Sequence, residues 1–110
     1  MITVKNIIPR KQAENAQTTQ YTAANCKTVI DKFTVTNTTA AAATFSVNLV
    51  ASGGTASASN RVLSVKSVAA GETYNCPELV GQSLEDGGFI STLAGTASAL
   101  TISATGREIT

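Results

Sequence analysis

Polar and apolar positions alternate with a period of two along most of this chain, the pattern of strands with one buried face. The clearest instance is 26–37, CKTVIDKFTVTN. From Asp31 onward Phe33 and Val35 fall on one face, and Lys32, Thr34 and Thr36 on the other. Upstream, the adjacent Val29 and Ile30 break the parity, which predicts a β-bulge near Asp31 or burial on both faces there. Asn37-Thr38-Thr39 closes the strand, because asparagine readily makes local side-chain turns. A second strand over 44–51, TFSVNLVA, sets Phe45, Val47 and Leu49 opposite Ser46 and Asn48. The alanines at 40–43 favour helix by propensity. The β-branched and aromatic residues on both sides make them a hairpin connection instead. SGGTASASN at 52–60 is low in complexity and reads as an exposed loop.

Downstream, 61–68 reads as a strand, Ala69-Ala70-Gly71 as a turn, and Thr73–Cys76 as a short strand. Pro77 suits the first position of one helical turn through Glu78-Leu79-Val80, with Gly81 ending it. The last pair of strands, about 88–94 and 99–109, is joined by Gly95-Thr96-Ala97-Ser98. In it Leu100, Ile102 and Ala104 alternate with Thr101, Ser103 and Thr105. At the amino end, Ile2, Val4, Ile7 and Ile8 make a short first strand closed by Pro9. Residues 10–20, RKQAENAQTTQ, carry no apolar periodicity and read as an extended polar arm or long loop, and Tyr21 begins the next strand. About seven or eight short strands, with polar turns every 8–12 residues or so, predict an all-β chain. The expected architecture is a single antiparallel β-sandwich or jelly-roll-like domain over 21–110, with an N-terminal strand and polar arm over 1–20.

Length and composition fit one domain. A chain of 110 residues can bury roughly two-thirds of its unfolded surface in one core. The apolar fraction is 43%, but Trp is absent, Phe and Tyr number 3 and 2, and alanine is abundant. Alanine buries far less than Val, Leu or Phe, which contribute roughly 1.5–3 kcal/mol each when fully buried. Such a domain gains by covering its surface with neighbouring subunits. Charged residues make up 14% of the chain, against about 25% in ordinary domains, and the formal net charge is +1. The cations are scattered, only Arg10 and Lys11 being adjacent, so no basic stripe for nucleic acid exists. No window holds the ~20 apolar residues of a membrane span, and MITVKNIIPRK lacks a signal-peptide core. Synthesis in a cytoplasm is therefore expected, with Cys26 and Cys76 reduced and acting as small apolar side chains.

Candidate chemistry is sparse. Histidine is absent, which removes the commonest general base and metal ligand and with them the usual hydrolase triads. No Ser-x-x-Lys spacing occurs. Cys26 and Cys76 alone do not make a zinc site. Glu85-Asp86-Gly87-Gly88 lacks EF-hand spacing and reads as a turn, and neither glycine pair has a phosphate-loop pattern. Asn37-Thr38-Thr39 matches a glycosylation sequon but reads as a turn. Phe33, Phe45 and Phe89 occupy apolar strand positions, leaving Tyr21 and Tyr74 as the only candidate rings for stacking a sugar. No catalytic, metal or cofactor residue is assigned, and the chain is expected to act through surfaces and not as an enzyme.

The string IDKFTVTNTT, then Phe-Ser-Val-Asn-Leu, a Gly-Gly loop, Ala-Gly-Glu-Thr, Leu-Glu-Asp-Gly-Gly-Phe-Ile and a closing ISATGREIT follow in an order that resembles small β-sandwich virion accessory proteins of tailed bacteriophages. The resemblance covers roughly 18–110. It implies a non-enzymatic structural protein of the virion, foremost a head-decoration (cement) protein, with neck or tail attachment the other placement. The partners it implies are further copies of the chain, as a homo-oligomer and foremost a trimer, and other virion proteins such as the major capsid protein. On the residues themselves, Ile2, Val4, Ile7 and Ile8 can add a strand to another subunit's sheet, leaving Arg10 and Lys11 to meet acidic capsid surface. The alternative is that 2–8 is an edge strand of the chain's own sandwich. A different class of function, a tail- or neck-borne adhesion module binding host-surface glycan, is carried alongside.

Overall fold

The alternating segments pair into two antiparallel sheets in a computed structural model that describes residues Met1–Thr110. In chain order the strands are β1 (Ile2–Gln12), β2 (Thr18–Thr22), β3 (Lys27–Asn37), β4 (Ala43–Val50), β5 (Arg61–Val68), β6 (Thr73–Tyr74), β7 (Ser83–Leu84), β8 (Phe89–Ala94) and β9 (Leu100–Ile109). Sheet I has the order β1-β9-β3-β6, with β7 also on β3, and sheet II the order β2-β8-β4-β5. The pairs β1·β9, β2·β8, β3·β6 and β4·β5 nest inside one another. The chain is thus one long antiparallel hairpin, its tip between β4 and β5, rolled so that β9 also pairs β3 and β8 pairs β4. That is a jelly roll, the sandwich architecture expected.

The period-two pattern places the core between the sheets. Phe33, Val35, Ile102 and Ala104 of sheet I meet Phe45, Val47 and Ile90 of sheet II, all essentially fully buried. The rings of Phe33 and Phe45 lie 6.1 Å apart across this layer. The parity break before Asp31 is a bulge, with the β3–β9 register shifting between Ile30 and Lys32. Gly106 lies in β9 where a Cβ would fall 2.5 Å from the Val29 carbonyl oxygen, so no larger residue fits without moving backbone. Cys26 and Cys76 are buried and unbridged, and burial pushes the Cys76 thiol up to about 12.

Three expectations need correction. The amino-terminal segment is not an arm, since β1 continues through Pro9 to Gln12 on β9, and Thr18–Thr22 pairs β8. The boundary expected at residue 20 falls inside β2. Proline is tolerated because β1 is an edge strand with register shifts on both sides of Ile8. The polar run finds partners there: the Ala13 amide donates to the Leu100 carbonyl, and Gln20 Nε2 donates to Glu14 and Thr92.

Second, 38–42 and 95–99 are crossovers between sheets and not hairpins. Buried Asn37 holds the first of these. Its Nδ2 donates to the carbonyls of Ala41 (2.8 Å) and Val68 (2.9 Å), and its Oδ1 accepts from the Thr39 amide. Third, the segment after Pro77 makes overlapping turns and no helix, with Leu79 fully buried and Gly81 in the left-handed region as a terminator. The 52–60 loop is exposed as expected, and it is tethered by a 3-10 turn at Ala58–Asn60 whose Asn60 Oδ1 accepts from Asn48 Nδ2 at 2.7 Å.

Candidate functional site

Directly paired residues of antiparallel strands share a face, so the register defines the outer surface of sheet I. On β9 it is carried by Thr101, Ser103, Thr105, Arg107 and Ile109. Beside them on β3 stand Thr36, Thr34, Lys32, Val29 and Lys27. On β1, Ile2 pairs Ile109 and Val4 pairs Arg107. The Arg107–Asp31 ion pair, at 3.0 Å, divides this face into an apolar end and a hydroxyl-rich end.

At the apolar end, Ile2 and Val4 are 61% and 73% exposed, with half-buried Ile109 beside Ile2 and half-buried Val29 across Arg107 from Val4. The other edge of β1 pairs with no strand. The residues singled out from the sequence for assembly therefore separate into groups. Ile7 and Ile8 belong to the core. Lys11 is engaged by Glu14 at 3.0 Å. Ile2 and Val4 remain outward at one end, and Arg10 lies at the other.

The hydroxyl-rich end is a shallow groove of about 340 Å³ with no hydrophobic lining. Asn6 and Arg10 of β1 form one wall, Thr101, Ser103 and Thr105 of β9 the floor, and Lys32, Thr34 and Thr36 of β3 the other wall. The irregular stretch of β1 supplies the first wall, as bulges do when they re-aim side chains. Among these side chains only Thr36 has an intramolecular hydrogen bond, to Thr73 at 2.9 Å. No signal in the strand pattern marked this site, because alternate Thr and Ser positions read simply as a solvated face.

The charge distribution singles out the same groove. Lys5, Lys11, Lys27 and Arg107 each pair with a carboxylate. Arg61 donates to Asn48 and Gln17, and Lys66 sits over the Tyr74 ring at 4.8 Å. Arg10 and Lys32 are the two cations left without an internal partner, and both line the groove. Every carboxylate is engaged elsewhere: Glu14, Asp31, Glu85 and Glu108 by cations, Glu72 and Asp86 by backbone amides, Glu78 by Tyr74. One of these contacts joins the sheets, where the Tyr21 hydroxyl donates to Glu108 and lies 2.7 Å from Thr28 Oγ1. The Tyr21 hydrogen bond, with lesser help from Lys5, holds Glu108 below the usual carboxylate range.

No family model, curated protein or solved structure matches this chain. The groove and the apolar end therefore rest on their own chemistry.

A second cavity, of about 450 Å³, opens where Leu49–Ser52 meets Ser83–Asp86. Its carboxylates are already used, Glu85 by Lys27 and Asp86 by the Asn25 amide. No cluster of three or more His, Cys, Asp or Glu side chains is placed to hold a metal ion.

Proposed function

We propose that this chain is a non-enzymatic structural protein of a tailed-phage virion, a capsid-decoration protein that works through subunit–subunit contacts at the apolar end of sheet I. The observation that carries this reading is the exposure of Ile2 and Val4 side by side on an edge strand whose outer edge is unpaired. Exposed apolar side chains beside open backbone groups are a pairing surface, which a soluble chain covers or blunts. Jelly rolls serve as viral capsid domains and as lectins, an analogy at the level of fold alone. The resemblance of the motif order to that of phage virion proteins is what favours the capsid side in this proposal.

The partners in this reading are further copies of the chain, closed symmetrically as a trimer, and the major capsid protein. Buried Ile7 and Ile8 take no part in the contact, which falls to Ile2 and Val4. Gel densitometry of purified virions tests the role: a copy number commensurate with the capsid lattice is expected, and a handful of copies or none contradicts it. Analytical ultracentrifugation of Val4→Lys tests the surface. The variant is expected to remain folded and become monomeric, and an unchanged assembly state removes this surface from the account.

A further inference from the structure

The groove at the other end of sheet I raises a separate question, because nothing in subunit docking through Ile2 and Val4 uses it. The fold disposes of its charges economically, leaving Arg10 and Lys32 alone unengaged. Both line one concavity, on the two strands that flank β9. With strands about 4.8 Å apart, the two walls stand roughly 10 Å from one another. No carboxylate lines the groove, so its field is positive. Between the walls lie rows of hydroxyls on alternate residues, Thr34 and Thr36 on β3 beside Thr101, Ser103 and Thr105 on β9, and all but Thr36 have their hydrogen bonds free.

We infer that this groove binds an acidic oligosaccharide, with Arg10 and Lys32 taking carboxylates on the sugar rings and the threonine and serine rows taking ring hydroxyls. Hydroxyls both donate and accept, matching the mixed character of a sugar's own hydroxyls. The guanidinium of Arg10 can take a carboxylate through two parallel hydrogen bonds.

Other anionic partners fit less well. An acidic peptide brings apolar side chains, and the lining offers them no hydrophobic residue. It also gains no strand pairing, because the groove lies on a sheet face and not along an edge. A single-stranded nucleic acid needs rings on which its bases stack, and no aromatic residue lines the groove. A neutral sugar leaves both cations unanswered and has no aromatic platform in the lining on which to stack.

The test is an amide chemical-shift titration of the full chain with hexagalacturonate. Maltohexaose, polyglutamate and a thymidine oligonucleotide serve as competing probes. Shifts are expected at Thr34, Ser103 and Thr105 with hexagalacturonate and not with maltohexaose, weakening as salt is raised. Arg10→Gln and Lys32→Gln are each expected to weaken binding about tenfold, the scale of a lost charge-assisted hydrogen bond. Lys27→Gln, which removes a cation at the far end of the same face, is expected to leave binding unchanged. Absence of groove shifts overturns the inference, as does equal binding of maltohexaose or an equal loss in Lys27→Gln. Tighter binding of polyglutamate or of the oligonucleotide overturns it in favour of that partner. The groove substitutions are at solvent-facing positions, and the same spectra report whether each variant is folded. Because the titration uses the isolated chain, its outcome does not depend on whether the chain decorates a capsid.

Discussion

On the outer face of sheet II the polar side chains hold one another. Asn48 Oδ1 accepts from Arg61, Asn48 Nδ2 donates to the Ser57 carbonyl and to Asn60, and Gln17 donates to Ser91. Asn48 and Ser91 are buried as a result. On the outer face of sheet I, Thr34, Thr101, Ser103 and Thr105 make no such contacts, and the cations beside them are unpaired. Both surfaces are built from small polar residues at alternate strand positions. One is consumed by the fold, fastening the β4–β5 loop to the sheet, while the other is left open. A polar residue on a strand is therefore not one kind of thing, since its partners decide whether it stabilises the chain or remains available to something else.

The contrast is broken most forcefully at Asn48. Asn48→Ala removes its hydrogen bonds with the Ser57 carbonyl, Asn60 and Arg61 at a fully buried position, which should cost roughly 2–3 kcal/mol. Ser103→Ala on the open face should stay within about 0.5 kcal/mol of the parent. Urea unfolding of the two variants checks the difference, and equal costs would erase the distinction between the faces.

A smaller loss is expected where the sheets are tied. Tyr21→Phe removes the hydroxyl that bridges β2 to Thr28 and Glu108 and should cost about 1–2 kcal/mol, close to the usual value of a hydrogen bond to a charged group. The same contact predicts a dependence on pH. Glu108, Glu14 and Glu78 all have folded pKa values below their unfolded ones, mainly through hydrogen bonds from Tyr21, Gln20 and Tyr74 respectively. The folded state then binds fewer protons. Its extra stability is present above the unfolded carboxylate pKa of about 4.3 and is lost as the pH falls through the folded values. Urea midpoints should hold steady from neutrality to about pH 5 and drop below pH 4 or so, with a shallower drop in Glu108→Gln. A midpoint that stays flat to pH 3 would contradict the role given to Tyr21.

The smallest stability effect is expected from Arg10→Gln combined with Lys32→Gln. Neither cation has an internal partner, so thermal or urea unfolding should move by no more than about 0.5 kcal/mol. A clear destabilisation would mean that the groove is wired into the fold after all.

Much of the sandwich is legible from periodicity. Phe33, Val35, Phe45, Val47, Leu100, Ile102 and Ala104 point inward as alternation requires, and the bulge at Asp31 follows from two adjacent apolar residues. Less legible is what joins the strands. The crossover at 38–42 looks like a hairpin because its local composition is that of a turn, and only the buried bonds of Asn37 to Ala41 and Val68 turn it toward the other sheet. Residues 10–20 look unpatterned because their partners, Leu100 and Thr92, lie far along the chain. The groove was hidden for the same reason. Lys32, Thr34 and Thr36 acquire meaning only when β9 brings Thr101, Ser103 and Thr105 beside them and β1 adds Arg10.

The central claim is that one outer face stabilises the fold while the other serves an outside partner, and a crossed comparison of two variants tests it most directly. Thr34, Ser103 and Thr105 are replaced together by alanine in one variant and Asn48 alone in the other, and each is measured for urea stability and for retention of hexagalacturonate. The account predicts that the triple variant keeps its stability within about 1 kcal/mol and loses the ligand. It predicts that the Asn48 variant, at a temperature where it remains folded, loses stability and keeps the ligand. A triple variant that unfolds as readily as Asn48→Ala while binding as well as the parent would contradict it.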